Sequence, residues 1–369
     1  DPWPSTRPAA EREDDARQIY EAAWDAVAVI PESEKEELPE NRYEGFDDID
    51  EAEVAAFLAR HQAIFDELRS ARHAGHVSMD PTLADGLDAT GDGVARMHDL
   101  HRVLDGRYRH AMTKGDAATA LDTVRLQLLF GSDLRTMGGL LHYLVGAGSL
   151  GASLTKLRTL LAQDTLDERQ LAALAEDLER VVAMPVSLEA IWKREDVSIR
   201  LMLVQAAEGA AGAEGFSLGD FMEAGWQHAF SEKLLMAELL DGMPSVARQA
   251  EGLDAMGRLE AIHHLQDLAA GEVKDRPGRL NRMVLVVWPR VAQRAAVVAA
   301  DLELARLATA IARYRKANGD WPETLGALVP EYLDALRDCP LALLPHGYAP
   351  GKVWSGGGDG DDDGGRALD

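Results

Sequence analysis

The chain has 369 residues, of which 46% are hydrophobic and 27% are charged, and its formal net charge is −25. This length and composition predict a globular protein with a sizeable core, and the negative charge excludes nucleic acid and anionic lipid surfaces as expected partners. A single cysteine, Cys339, excludes an intramolecular disulfide and a cysteine-based zinc site. No apolar run reaches the roughly 18 residues of a membrane span, so we expect no membrane-spanning segment.

The N-terminal part of the chain alternates between polar segments and helical patterns. Residues 1–12 are rich in proline and predict an extended lead-in. The chain begins with Asp rather than Met, so we expect a fragment, a processed product or an edited sequence. A first helix is predicted over 13–29 and ends before Pro31. After an acidic linker, apolar residues at helical spacing predict further helix over about 50–68.

Nearly all of the chain from about 93 to 271 predicts helix. The predicted segments are 94–114, 116–130, 133–146, 149–163, 167–183, 187–210, 218–239 and 244–270. Gly115 and Asp116 separate the first two, because glycine often ends a helix and aspartate caps the next. Thr165 and Glu168 predict a capping box at the fifth. Since consecutive helices with short connections pack side by side, we expect an irregular array of antiparallel helical hairpins.

The C-terminal part changes character. A long helix is predicted over about 281–318, and "DWPETLGAL" then predicts a short helix with Pro322 near its first position. The pieces "GYAP" and "KVW" flank a turn and predict a small hairpin. We expect Trp321 and Trp354 to pack this hairpin onto the long helix. The Gly/Asp-rich stretch "SGGGDGDDDGG" follows.

These C-terminal residues resemble a known pattern. The segment is similar to the C-terminal part of the major pseudopilins of type II secretion, and the same segment recurs in large, uncharacterised helical envelope proteins of planctomycete-type bacteria. The resemblance implies a mainly α fold with a small C-terminal α+β cap of pseudopilin type, facing an extracytoplasmic space. The matching residues are Ile311, Tyr314, Arg315, Asn318, Gly319, Trp321, Pro322, Leu325, Leu328, Val329, Pro330, Tyr332, Leu333, Trp354, Ser355, Gly356, Asp359, Gly360, Asp362, Asp363, Gly364 and Gly365.

The Gly/Asp-rich stretch is the first candidate site. In the pseudopilins this loop binds calcium, so the resemblance implies a structural calcium ion here, with Asp359, Asp361, Asp362 and Asp363 as candidate ligands. The residues agree with this chemistry, because Ca²⁺ takes six to eight oxygen ligands and glycines let backbone carbonyls turn inward. A solvated acidic tail is the alternative that the residues leave open.

A pair of histidines is the second candidate site. His98 and His101 lie three positions apart on a predicted helix, a spacing that can present two imidazoles to one metal ion. Surface or packing histidines produce the same pattern. The sequence contains no HExxH, GxSxG or phosphate-binding loop motif, so it predicts no reaction class.

Together these observations predict three parts: the lead-in 1–12, an α-helical hairpin domain 13–280, and 281–369 with the long helix, the pseudopilin-like hairpin and the Gly/Asp loop. The expected function is that of a non-enzymatic binding or scaffolding protein of the cell envelope, which binds a protein partner or an envelope assembly. Two alternatives stay open: a metal-dependent enzyme that uses His98 and His101, and a subunit of a secretion or envelope assembly. The expected location is periplasmic or otherwise extracytoplasmic, with a cytoplasmic location left open.

Overall fold

The computed structural model shows a mainly helical protein, and its described residues include a small two-stranded sheet. The predicted fold class is confirmed at this level. The described residues are 17–31, 34, 51–71, 88–184, 186–187, 190–191, 194–195, 279–340, 345–356 and 364. Their helices are α1 Arg17–Ala28, α2 Glu51–Arg60, α3 Gln62–Ser70, α4 Asp88–Thr113, α5 Ala117–Met137, α6 Leu140–Ala162, α7 Glu168–Ala183 and α8 Arg279–Asn318.

The chain divides into two compact units. The first unit comprises residues 1–80 and 89–166, and the second comprises 81–88 and 167–369. Helices α1 to α6 belong to the first unit, apart from the first residue of α4, while α7, α8 and the sheet belong to the second. The predicted domain boundary near residue 280 stays a prediction, because residues 196–278 lie outside those that the structure describes.

The first unit is built around an aromatic and aliphatic core. The apolar residues whose spacing predicted helix over 50–68 are all buried and face this core. Burying such a side chain contributes about 1.5–3 kcal/mol, which is why the helical periodicity of the sequence was informative here. The largest fully buried side chains of this unit are Tyr20, Tyr143, Phe57, Phe65, Phe130, Met97, Leu100, Leu104 and Leu128.

Helices α5 and α6 form a hairpin whose boundaries differ from the prediction. The predicted breaks at 131–132 and 147–148 are wrong, because both helices continue through these positions and the break lies at Gly138 and Gly139. Gly131, in the first of these predicted breaks, faces Gly146, the last residue of a predicted helix. A Cβ atom on Gly146 would lie 2.7 Å from the Gly131 carbonyl oxygen. Glycine is therefore used here to let two helices approach closely, and not to end them.

The helix caps are confirmed at one site and corrected at another. Gly115 has a φ of +68° and Asp116 caps α5, accepting a 2.9 Å hydrogen bond from the Thr119 N–H. The capping box of α7 is formed by Asp167 and Gln170, so the predicted pairing of Thr165 with Glu168 is wrong. The Asp167 side chain accepts a hydrogen bond from the Gln170 N–H, and the Gln170 side chain accepts one from the Asp167 N–H. Both backbone donors, which have no partner within the helix, are therefore hydrogen-bonded.

The second unit contains the long predicted helix and the predicted hairpin. Helix α8 confirms the prediction for 281–318, and the short segment after it is a 3₁₀-helix, Leu325–Leu328. Strands β1 Gly347–Ala349 and β2 Lys352–Trp354 pair antiparallel around Gly351, whose φ is +82°. A small apolar core holds these pieces on α8, and its buried members are Leu307, Ala310, Ile311, Leu328 and Leu333.

Candidate functional site

The four aspartates of the predicted calcium loop lie outside the described residues, but both ends of the loop are described. Strand β2 enters it, and Gly364 follows it with a φ of +62°. The Lys352 ammonium donates a 2.9 Å hydrogen bond to the Gly364 carbonyl and lies 5.4 Å from the ring centroid of Trp354. The chain therefore returns to the hairpin immediately after the aspartates.

The hairpin that precedes the loop is packed firmly. The Tyr348 hydroxyl donates a 2.7 Å hydrogen bond to the Pro322 carbonyl, which ties β1 to the segment after α8. The Trp354 ring lies directly against Gly347, where any side chain would collide with it. Trp321 packs against the small apolar core and carries the Arg315 guanidinium 4.5 Å from its ring centroid. Trp321, which lies against both α8 and the hairpin turn at Gly351, thus serves the packing role that the sequence predicted. The contacts of Trp354 given above lie within the hairpin, so its predicted packing onto α8 stays a prediction.

A closed ring of four charged side chains joins three segments of the second unit. We call it the Arg306 ring; it consists of Glu179, Glu303, Arg306 and Arg337. Arg306 contacts the Glu179 carboxylate through Nε and donates to Glu303 Oε1 at 2.7 Å. Arg337 donates to Glu179 Oε2 at 3.1 Å and lies 3.7 Å from Glu303 Oε2.

The Arg306 ring is electrically neutral and its centre is deeply buried. Glu303 and Arg306 are each only 2% exposed, and Arg306 Nη2 also donates a 3.1 Å hydrogen bond to the Ala335 carbonyl. A buried charge is tolerated only when it is paired and hydrogen-bonded. The ring therefore stabilises one arrangement of α7, α8 and the segment around 335–337, and we assign it a structural role.

His346 lies one residue before β1 and close to this ring. It is 8% exposed, and the nearby Trp354 backbone favours its charged form, yet neither ring nitrogen reaches hydrogen-bonding geometry with a described atom. Burial lowers the pKa of His346 below its ordinary value, and the attraction of the Glu303 carboxylate opposes this shift only in part. His346 is therefore held as a neutral imidazole near neutral pH.

The predicted histidine pair occupies two different environments on α4. The His98 side chain is exposed, whereas His101 is 4% exposed and its ring centroid lies 6.3 Å from that of Phe130. Among the residues that the structure describes, no group of three or more His, Cys, Asp or Glu side chains is placed to hold a metal ion. The two-histidine site stays a prediction without further support.

The first unit contains a partly buried lysine in a polar cluster. The Lys156 ammonium contacts the Asp105 carboxylate and donates a 2.6 Å hydrogen bond to Gln127 Oε1, and these three residues lie on α6, α4 and α5. The Tyr108 hydroxyl donates to the Lys156 carbonyl at 3.1 Å. The cluster links three helices through their interior faces, so it stabilises the bundle.

A second carboxylate in this unit is held between two arginines. Asp122 accepts hydrogen bonds from Arg69 at 2.8 Å and from Arg107 at 2.9 Å, and the Arg107 guanidinium lies 4.5 Å from the ring centroid of Phe65. Burial alone would raise the pKa of Asp122, but the two guanidinium groups outweigh it and lower the pKa. A carboxylate held ionised in this way is a poor general base.

The interior between α1 and α5 holds a third polar group. The Tyr20 hydroxyl donates a 2.5 Å hydrogen bond to Asp133 Oδ2 across the core. Arg135, two positions further along α5, is buried, and this burial lowers its pKa to about 10. The three clusters share one property: charged groups are buried next to an opposite charge or a hydrogen-bonding partner, as packing requires.

Sequence reasoning did not identify the Arg306 ring or His346. A signal for the ring was present, because Glu303 and Arg306 lie three positions apart on the same face of α8 as the buried Leu307. Two opposite charges within an apolar stripe indicate a buried ion pair. The partners Glu179 and Arg337 are distant in sequence, and no pattern in the chain indicates them.

Among the described helices, none combines the length and the apolar character that crossing a membrane requires. Comparison of the chain with models of protein families, with curated proteins and with solved structures found no match.

Proposed function

We propose that the protein is a non-enzymatic binding or scaffolding protein of the cell envelope, facing an extracytoplasmic space, and that its C-terminal loop binds calcium in a structural role. The placement and the calcium site come from the resemblance of the C-terminal segment to the pseudopilins. The helical body would present a surface to a protein partner, and the C-terminal segment would form a small cap of pseudopilin type.

One observation supports this proposal most directly: the hydrogen bond from Lys352 to the Gly364 carbonyl. Because this bond brings Gly364 back to β2, the described residues on either side of the Gly/Asp stretch lie close together. A loop whose ends are held together would concentrate its carboxylates and glycine carbonyls in a small volume, and these are the donors that a hard cation prefers. A bound calcium ion would offset the mutual repulsion of Asp359, Asp361, Asp362 and Asp363.

The surface of the first unit supports a protein partner. Leu141 and Leu144 lie one turn apart at the start of α6, and each is 38% exposed. The chain also carries a large negative charge, which favours basic partners over nucleic acid or anionic lipid. A surface with exposed leucines within an acidic protein is suited to binding a protein that combines an apolar patch with basic residues.

The calcium site is tested by direct binding and by melting. We expect the purified chain to bind about one equivalent of Ca²⁺, with an affinity in the range of extracellular modules, about 10⁻⁴–10⁻³ M. At 10 mM Ca²⁺ this predicts a stabilisation of about 1.4–2.7 kcal/mol, which EDTA removes. Isothermal titration calorimetry and calorimetric melting measure the two quantities.

The matched variants are a simultaneous Asp→Asn change at 359, 361, 362 and 363 and the single change Asp334→Asn, an exposed aspartate of the same unit. The first should lose both calcium binding and the EDTA effect, while Asp334→Asn should keep both. Mg²⁺ should not replace Ca²⁺, because it accepts crowded carboxylate cages poorly. Absence of calcium binding to the parent chain at 10 mM, or equal binding by the fourfold variant, would contradict the proposal.

A further inference from the structure

The second unit buries an imidazole without pairing it. His346 is 8% exposed, and both of its ring nitrogens lack a hydrogen bond to any described atom. A buried polar group without a hydrogen bond lowers the stability of the folded state. Its place in the chain is informative, because the next residue, Gly347, begins the hairpin that packs on α8.

The buried carboxylate that acts on His346 is already paired with arginines. Glu303 acts on His346 electrostatically, but its Oε1 accepts from Arg306 at 2.7 Å and its Oε2 lies 3.7 Å from Arg337. Two guanidinium groups thus already pair with this buried carboxylate. Its attraction offsets only part of what burial costs a charged imidazole.

The other acidic group that acts on His346 is Asp338, which is exposed. Its attraction is screened by water and therefore weaker than that of a buried carboxylate. The groups that act on the ring are then two carboxylates, of which one is paired and one is solvated, and the Trp354 backbone, and all three favour the charged form. Burial outweighs them, so this site favours a neutral imidazole over an imidazolium.

We propose that the β1–β2 hairpin is a pH-sensitive latch, which detaches from α8 when His346 is protonated. Detachment exposes the ring to water, where the imidazolium is well hydrated. The Tyr348 contact with Pro322 and the Lys352 contact with Gly364 are made by the same hairpin, so detachment would also free the Gly/Asp loop from its anchor.

The direction of the pH effect follows from proton linkage. The pKa of His346 in the docked state is below its value of about 6.5 in an exposed state, so the detached hairpin binds the proton more readily. The stabilising contribution of neutral His346 is complete above pH 6.5. This contribution is lost as the pH falls from 6.5 to the docked-state pKa. Because one proton is involved, the docking equilibrium changes by at most about tenfold per pH unit.

The test is hydrogen exchange of the hairpin amides in the full chain at pH 7.5, 6.5 and 5.5, corrected for the intrinsic pH dependence of exchange and recorded in EDTA. We expect protection of residues 347–354 to fall several-fold, and at most about tenfold, between pH 6.5 and 5.5. The His346→Gln variant should show no such change. The control His110→Gln, which alters a titratable residue of the first unit bound to Glu51, should behave as the parent.

The imidazole resonance of His346, identified by its absence from the His346→Gln spectrum, provides a second measurement. Its titration midpoint in the parent should lie below 6.5 and mark the lower end of the pH range over which hairpin protection falls. If glutamine at 346 itself detaches the hairpin at pH 7.5, this relation decides the question. Unchanged parent protection from pH 7.5 to 5.5, equal pH dependence in His346→Gln, or a midpoint unrelated to protection overturns the latch. Because EDTA is present throughout, these outcomes are independent of the calcium proposal.

Discussion

Replacing Arg306 with methionine is expected to destabilise the second unit by about 3–5 kcal/mol. Methionine keeps much of the side-chain volume but leaves the buried Glu303 carboxylate without its closest partner. It also removes the links from Arg306 to Glu179 and to the Ala335 carbonyl. Urea unfolding, followed by hydrogen exchange of the α7 and α8 amides, measures the loss in the unit concerned.

The matched control for this prediction is Arg313→Met, two turns along the same helix. Arg313 donates a 2.9 Å hydrogen bond to Glu168 at the surface, and such pairs contribute about 0–1 kcal/mol. A double change, Glu303→Leu with Arg306→Met, removes both buried charges and should recover most of the stability lost in the single variant. The structural role of the Arg306 ring would be refuted by an Arg306→Met variant no less stable than Arg313→Met.

Replacing Gly146 with alanine is the second change for which we expect a large effect, a destabilisation of about 1–3 kcal/mol. The new Cβ would lie 2.7 Å from the Gly131 carbonyl oxygen and 2.8 Å from the Arg135 backbone nitrogen. Both obstacles are backbone atoms, so α5 and α6 must move apart and lose contact along the hairpin. Thermal and urea unfolding of the full chain measure the effect.

Gly148 provides the opposite result on the same helix. A Cβ atom at Gly148 would meet no atom within 4 Å, so Gly148→Ala should stabilise the protein by about 0.5–1 kcal/mol through helix propensity alone. The two positions lie within one turn of each other on α6, and both variants make the same glycine-to-alanine change. Equal effects of both alanines would show that the close approach of α5 and α6 does not depend on glycine.

The two units solve the same packing problem with similar means. Aromatic residues make up only 6% of the chain, and the largest buried rings lie in the core of the first unit. Close helix contacts at small residues, as at Gly131 and Gly146, reduce the volume to be filled. Buried or partly buried ion pairs then connect helices at defined points, as Lys156 does in the first unit and Arg306 in the second. Such pairs favour one register between helices, because a displaced helix would leave a charge unpaired.

The candidate sites differ in how far the residues alone could identify them. The Gly/Asp loop is a local feature, and its composition predicts oxygen ligands for a cation without any knowledge of the fold. His346 carries no such signal, because a lone histidine before a short strand is common. What distinguishes it is burial beside a carboxylate that Arg306 and Arg337 already neutralise, and those contacts exist only in the folded unit.

The sequence by itself determined the features that depend on neighbours along the chain. The apolar periodicity of α2 and α3, the Gly115–Asp116 junction, the long α8 and the hairpin around Gly351 all follow from residues within a few positions of one another. Side-chain spacing and turn conformation are local properties, so they can be predicted from the sequence without the tertiary structure.

Tertiary structure alone decided which glycines end helices and which charges are paired. Gly131 lies in a predicted helix break and Gly146 at the end of a predicted helix, yet the facing helix requires both glycines within continuous helices. Arg306 meets Glu179 across 127 positions of the chain. The physical reason is that both features depend on a segment distant in sequence that removes water from the site. Only that segment determines whether a glycine or a buried charge stabilises or destabilises the folded state.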